Sequence, residues 1–325
     1  MHIPDNYLSP STCAVVGSCM VPVWMWATRR IKKEFSAKNV PLVGVFAAFS
    51  FLLMMFNIPL PGGTTGHAVG ATLIAVFIGP FAACLSLSIA LLIQALFFGD
   101  GGVISFGVNA FNMAFVMPFA GYFLYVLLKG FHSSERWEKI SLFIAAYVSL
   151  NIGAFLTALE FGLQPILFKD NIGVPLYSPY PLGIALPAMM MPHLLIAGVV
   201  EAFVTVGVYE FVKKVSPQSI HKTFSVKLKP MYVAVAMMVI LSPLGLFASG
   251  AAWGEWKNDE IQKLIGYIPS GMKDGFSFIS IMPDYTVPFI RSEFFGYMLS
   301  AVVGITIILI IFRMLNRFFG SHVDI

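Results

Sequence analysis

The sequence predicts an all-α protein that crosses the membrane several times, on three observations. Of the 325 residues, 58% are hydrophobic and 11% are charged, whereas ordinary soluble domains are about 25% charged. Most apolar residues stand in uncharged runs of roughly 17–25 residues, the length that a helix needs to cross a hydrocarbon core of about 30 Å. Lys and Arg are concentrated in alternate connecting segments, as in multi-pass membrane proteins.

Nine apolar runs predict nine membrane spans. They are residues 11–28, 40–57, 68–79, 81–98, 105–128, 140–161, 183–212, 231–248 and 294–312. The third run is short, and Gly79-Pro80 separates it from the fourth. We predict a turn at this point because proline disfavours continuation of a helix. A single kinked helix over 68–98 is the alternative.

The basic residues predict the orientation of these spans. If the first helix runs from outside to inside, 15 of the 20 basic residues lie on inner segments, as the positive-inside rule requires. We therefore expect a multi-pass protein of the cell membrane with an extracytoplasmic N-terminus and a cytoplasmic C-terminus. The first ten residues, MHIPDNYLSP, lack the basic start of a signal peptide. We accordingly expect Met1 to be the mature N-terminus.

A basic stretch divides the chain into two predicted parts. Residues 1–212 form a seven-helix module, and 213–230 form a cytoplasmic linker. Residues 231–325 form a two-helix module whose helices enclose an outer loop at 249–293, the role of which the sequence leaves open. No internal repeat stands out between the two parts, which weakens an inverted-repeat transporter interpretation.

Two histidines on the predicted outer face indicate a metal site. The amine of Met1, the backbone nitrogen of His2 and the His2 imidazole can bind one ion through fused five- and six-membered rings. His67, at the mouth of the third span, can supply the fourth corner of a square plane. Square-planar nitrogen ligands suit Ni(II) or Cu(II) rather than Zn. Asn109 and Asn112 can orient these ligands, or they can simply bond between helices.

Two further groups lie inside the seventh span. Glu201 is near its middle, and His193 lies two turns earlier. An ionisable residue at such depth suggests a functional site, here proton coupling in a secondary metal transporter. We favour a structural, hydrogen-bonded role for Glu201, because one buried carboxyl does not make a proton relay.

The order and spacing of three motifs resemble a known family. MHIPDNYLSP, GTTGHAVGATL followed by Gly79-Pro80, and LLIQALFFGDGG with GVNAFNMA resemble the nickel/cobalt substrate-binding components of energy-coupling-factor ABC transporters, the CbiM/NikM type. The resemblance covers about residues 1–212. It implies that Met1, His2 and His67 hold the metal. Residues 231–318 resemble, mostly in architecture, the small two-helix auxiliary subunit of the CbiN/NikN type.

The resemblance also implies how the protein works. The chain captures Ni²⁺, or Co²⁺, outside the cell and acts with a transmembrane coupling protein and two cytoplasmic ATPases. The metal is then a transported substrate and not a cofactor, and the chain itself is not an enzyme, in keeping with its lack of a Walker motif. A docking face for the coupling protein is expected around Gly44, Ala47 and Ala48. The lipid bilayer is the other partner, and nucleic acid is not one. A metal sensor or scaffold without transport is a third hypothesis, and the sequence leaves the choice of metal and the stoichiometry open.

Overall fold

Helices make up nearly all of the regular structure of the protein. The computed structural model describes residues 1–34, 40–215, 228–248 and 250–320. Seven helices within these residues are long and apolar enough to cross a membrane, and a shorter apolar helix spans Val40–Met55. The predicted all-α, polytopic class is therefore confirmed.

The N-terminal part of the bundle contains seven helices. They are α1 (Pro10–Glu34), α2 (Val40–Met55), α3 (Ala71–Ile78), α4 (Pro80–Phe98), α5 (Phe106–Lys129), α6 (Glu135–Leu167) and α7 (Leu182–Val215). The last turn of α4, Gln94–Phe98, is π-helical. Further π-helical stretches lie within α5 at Ala110–Val116 and within α7 at His193–Ala197. A two-stranded hairpin, β1 (Ile58–Leu60) and β2 (Thr64–Gly66), precedes α3.

The C-terminal part contains two long helices and the connection between them. Its helices are α8 (Leu228–Phe247), α9 (Asn258–Ile265), α10 (Ser270–Lys273) and α11 (Glu293–Gly320), with a short helical turn at Pro283–Tyr285. We call the connection from 250 to 292 the α8–α11 loop. Most of the predicted linker, residues 216–227, lies outside the described residues, and its two ends belong to α7 and α8.

The third and fourth runs form two helices that double back, as the predicted turn requires. Gly79, between α3 and α4, has φ 80° and ψ 155°, a conformation that residues other than glycine rarely adopt. His67 precedes α3 and Asp100 follows α4, yet both side chains contact His2. The pair of helices therefore returns to the side from which it starts, and the single kinked helix over 68–98 is wrong. The helix of the third run begins only at Ala71.

The hairpin before α3 was not predicted from the sequence. Ile58 pairs with Gly66, and Leu60 pairs with Thr64. Gly62 and Gly63, in the turn, have φ values of 91° and 76°, which glycine adopts without steric cost. The hairpin brings the chain directly to His67.

The two parts of the chain pack along α2. Nearly every residue of α2 is buried. A Cβ atom added at Gly44 would lie 3.0 Å from the Cβ of Phe312 on α11, so the two helices are in close contact there. Ala47 and Ala48 are also buried. The three residues expected at a docking face are therefore buried within the bundle. At Gly44, the close helix approach that a small residue permits is made by α11 of the same chain.

Candidate metal centre

The N-terminal segment lies inside the protein. Met1 is 3% exposed and His2 is 1% exposed. The amide N–H of Ile3 donates to Oδ1 of Asn109 at 2.8 Å, and Nδ2 of Asn109 donates to the Ile3 carbonyl at 3.0 Å. The N–H of Gly102 donates to the same carbonyl at 2.9 Å. Asn109 therefore holds the backbone directly beside His2.

Asn112 lies away from the N-terminal segment, although the sequence suggested the same role for it. Its Nδ2 donates to Oε2 of Glu160 at 2.7 Å and to the hydroxyl of Thr157 at 3.3 Å. Both partners belong to α6. Asn112 thus joins α5 to α6, and the structure shows no contact from it that would orient Met1, His2 or His67.

The two predicted histidine ligands are neighbours. Nδ1 of His2 lies 3.3 Å from Nε2 of His67, and the two rings are tilted with centroids 5.0 Å apart. Nδ1 of His67 lies 3.2 Å from the carbonyl oxygen of Ala68. A proton on that Nδ1 donates to the carbonyl, which leaves the lone pair of Nε2 directed at His2.

This arrangement suits a chelate at the chain terminus. Nδ1 is the ring nitrogen of His2 that closes a six-membered ring with the His2 backbone nitrogen, and it is the nitrogen that faces His67. With metal–nitrogen bonds of about 2.0 Å, neighbouring corners of a square are about 2.8 Å apart, so the observed 3.3 Å needs only a small closure. Among the described residues, no three His, Cys, Asp or Glu side chains form a group that could hold a metal ion. The ligand set predicted from the sequence adds two main-chain nitrogens, the Met1 amine and the His2 backbone nitrogen, to the two imidazoles.

Two carboxylates border the centre, and the sequence did not indicate either. Oδ1 of Asp100, just after α4, lies 3.1 Å from Nδ1 of His2. Oε1 of Glu255, in the α8–α11 loop, lies 3.4 Å from the amine of Met1. The role of the loop that contains Glu255 was left open by the sequence. Apart from their charge, the sequence carried no signal that these residues meet the N-terminus.

Burial keeps both imidazoles unprotonated. It lowers the pKa of His2 to about 4, with the Met1 ammonium acting in the same direction and Glu255 in the opposite one. It also lowers the pKa of His67 well below its usual value. The pKa of Asp100 is raised to about 6 by burial, although a hydrogen bond from Tyr285 opposes this rise. Neutral imidazole is the form that binds metal.

Tyr285 connects the α8–α11 loop to the centre. Its hydroxyl donates to Oδ2 of Asp100 at 2.6 Å and accepts from Nε2 of Gln94 at 2.9 Å. Its ring stacks on Phe98 with centroids 4.7 Å apart. A cavity of about 730 Å³ lies beside these groups, and His67, Asp100, Glu255 and Tyr285 are among the residues that line it. The C-terminal part thus contributes to the surroundings of the predicted ligands.

Glu201 and His193, the groups considered for proton coupling, make local hydrogen bonds. The carboxylate of Glu201 accepts from the N–H of Val69 at 2.7 Å and from the N–H of Gly70 at 2.9 Å. Nδ1 of His193 lies 2.7 Å from the carbonyl oxygen of Met189, one turn earlier. These contacts support the structural role that we favoured for Glu201.

A bundle of helices able to cross a membrane, with a buried histidine pair next to a cavity, places this chain among multi-pass membrane proteins. The family described as the cobalt uptake substrate-specific transmembrane region matches residues 2–219, and the chain belongs to this family. The PDGLE domain matches residues 228–319. The chain is therefore a non-catalytic membrane component of metal transport, and the metal is its cargo rather than a cofactor.

Similar proteins carry related descriptions. The chain is 46% identical to the probable fused nickel transport protein LarMN of Lactiplantibacillus plantarum, with 98% of each chain covered. It is 41% identical to the fused nickel transport protein NikMN of Rhodobacter capsulatus, with 95% of each covered. A crystal structure of a truncated transition metal transporter is 51% identical, with a TM-score of 0.63, and the match covers 66% of this chain and 99% of that one. These matches confirm the resemblance inferred from the motifs.

Proposed function

We propose that this chain captures Ni²⁺ on the extracytoplasmic side of the cell membrane as the substrate-binding component of an energy-coupling-factor transporter. The amine of Met1, the backbone nitrogen and Nδ1 of His2, and Nε2 of His67 form its square-planar ligand set. A transmembrane coupling protein and two cytoplasmic ATPases supply the energy for release inside. Co²⁺ is the second candidate cargo.

One observation carries this proposal: His2 and His67 face each other through chelating nitrogens 3.3 Å apart, at a chain terminus that is itself buried. A loose N-terminus would have to be ordered upon binding, at a cost in conformational entropy of about 1–2 kcal/mol per residue. Here hydrogen bonds already hold the segment beside His2. Four nitrogen ligands in a plane favour Ni(II), and the two full-length relatives described above are named for nickel.

The orientation and the division of the chain belong to the same proposal. An extracytoplasmic N-terminus puts the cavity beside His67 and Glu255 in contact with the outer solution. Residues 1–212 then bind the metal, 213–230 connect the two parts inside the cell, and 231–325 add the two-helix module. Glu255 of the α8–α11 loop contacts the amine of Met1. This contact supports a role for the C-terminal module beside the metal-binding residues.

The terminal amine provides the sharpest test. Two glycines added before Met1 displace the amine from a position that is 3% exposed. We expect Ni²⁺ binding and cellular Ni²⁺ uptake to be lost, whereas the same two glycines added after Ile325 should have no effect. His2→Ala and His67→Ala should each weaken binding as well. Unchanged binding by the N-terminal extension would show that the amine is not a ligand.

Energy coupling requires a separate test. Radioactive Ni²⁺ uptake is measured in cells that express the chain alone, with a coupling protein, and with a coupling protein and both ATPases. We expect efficient uptake in the last case, and its loss when the ATPases carry an inactive Walker motif. Efficient uptake that does not depend on ATPase activity, and that Glu201→Gln abolishes, would instead support a proton-coupled secondary transporter.

A further inference from the structure

We infer that Glu201 on α7, assisted by Ser50 on α2, is the positioning residue that places His67 in the metal centre. Neither residue contacts the proposed metal ligands directly in the described structure. Both bind the short segment Ala68–Gly70, which joins His67 to α3. The inference rests on the proposed ligand role of His67, and it adds a role for a carboxylate that metal binding itself does not use.

The segment after His67 is buried and lies outside regular secondary structure, so its backbone needs partners from elsewhere. Ala68 and Val69 are 4% and 0% exposed. Buried backbone N–H and C=O groups without partners are costly, and in folded proteins nearly all of them are bonded. Because this segment belongs to neither β2 nor α3, no regular ladder supplies those partners.

Side chains of two other helices supply them. Oε2 of Glu201 accepts from the N–H of Val69 at 2.7 Å, and Oε1 of Glu201 accepts from the N–H of Gly70 at 2.9 Å. The hydroxyl of Ser50 donates to the carbonyl of Val69 at 2.7 Å. Glu201 is 1% exposed and Ser50 is 0% exposed, so water does not replace these bonds when they are lost.

The charge of Glu201 also suits the place where it lies. Gly70 is the residue immediately before α3 and offers no capping side chain of its own. The first N–H groups of a helix carry partial positive charge, and a carboxylate there is stabilising. Glu201, a residue of α7, therefore caps the N-terminus of α3. Since His67 lies three residues before Gly70, the same contacts set the position of its imidazole.

Glu201→Gln tests the inference with little change in shape. The amide keeps one oxygen as an acceptor and puts an NH₂ group at the position of the other, so one hydrogen bond from the backbone is replaced by a repulsive contact. We expect the Kd for Ni²⁺ to rise about 10- to 100-fold, the usual range for losing a group that orients a ligand. The absorption spectrum of bound Ni²⁺ should shift toward that of His67→Ala, since the His67 nitrogen is misplaced in one variant and absent in the other.

The decisive measurement is the double variant. In a chain that already carries His67→Ala, adding Glu201→Gln should change the Kd less than twofold, because there is no ligand left to position. Glu160→Gln, at a partly buried carboxylate that contacts Asn112 and not the His67 segment, is the matched control and should leave the Ni²⁺ spectrum unchanged. Ser50→Ala gives a milder loosening of the same segment and allows the test if Glu201→Gln does not fold.

Each contrary outcome has a separate meaning. An equal loss of affinity from Glu201→Gln with and without His67 would show a general structural effect, and an unchanged Kd in Glu201→Gln would remove the positioning role. If Ser50→Ala is the variant used, an unchanged Ni²⁺ spectrum would likewise remove the positioning role. If His67→Ala itself leaves Ni²⁺ binding intact, the proposed ligand set fails rather than the role of Glu201.

Discussion

Asn109→Ala tests whether the N-terminal segment must be held for metal to bind. The substitution removes the acceptor of the Ile3 N–H, whereas the Ile3 carbonyl keeps donors from Gly102 and Ser105. One buried amide is therefore left without a partner, which costs about 1–3 kcal/mol. In the free protein the N-terminal segment can move out of its buried position and avoid this cost. Bound metal keeps the segment in place, so the cost weakens metal binding. At about 1.4 kcal/mol per tenfold, the Kd for Ni²⁺ should rise about five- to a hundredfold.

Calorimetric titration of the purified protein with Ni²⁺ measures this change. Asn112→Ala is the matched control, because it truncates the same residue type one turn along α5 while removing bonds to Thr157 and Glu160 only. The control should retain the Kd of the unmodified protein even if its melting temperature falls. Equal affinity of Asn109→Ala and the unmodified protein, or an equal loss in both variants, would refute the reasoning.

Three further changes have definite expected outcomes. Tyr285→Phe removes one hydroxyl and keeps the ring stacking, so Ni²⁺ affinity in the same titration should fall about two- to tenfold; an unchanged affinity would show that the α8–α11 loop does not support the centre. At pH 6, His67→Ala should reduce the number of protons released per Ni²⁺ by clearly less than the loss of an ordinary imidazole would, because burial lowers the pKa of His67 well below its usual value. Calorimetry in two buffers checks this, and a loss of about 0.8 proton, expected for an ordinary imidazole with a pKa near 6.5, would contradict it. Gly70→Ala should destabilise the protein by about 1–2 kcal/mol in thermal unfolding, since φ is 75° there, whereas Gly183→Ala, where an added Cβ meets nothing within 4 Å, should not.

The sequence predicted the proposed ligands because their chemistry is local. A histidine at position two carries the amine, the backbone nitrogen and the imidazole of a chelate within two residues. His67 could be added because the predicted topology put both histidines on one face. The remaining neighbours, Asp100 and Glu255, could not be predicted in this way, since 155 residues separate them from each other and no spacing rule joins them.

The pattern on the second helix could not identify its partner, for a related reason. Gly44, Ala47 and Ala48 indicate a surface on which another helix can pack closely, and the pattern of small residues does not say which helix that is. In the structure α11 of the same chain lies against Gly44, through Phe312. A motif for helix contact lies within one segment of the chain, whereas the helix that packs against it depends on the arrangement of the whole bundle.

The sequence by itself determined the membrane class and the turn at Gly79-Pro80 of this protein, and it was enough to predict the proposed chelate at the N-terminus. Each of these follows from the hydropathy, the charge or the covalent structure of a short stretch of chain. The tertiary structure alone decided that the α8–α11 loop reaches Met1 through Glu255, and that Glu201 caps α3 behind His67. Those contacts join residues that are more than 100 positions apart, and burial brings them together because each isolated polar group inside the bundle needs a partner.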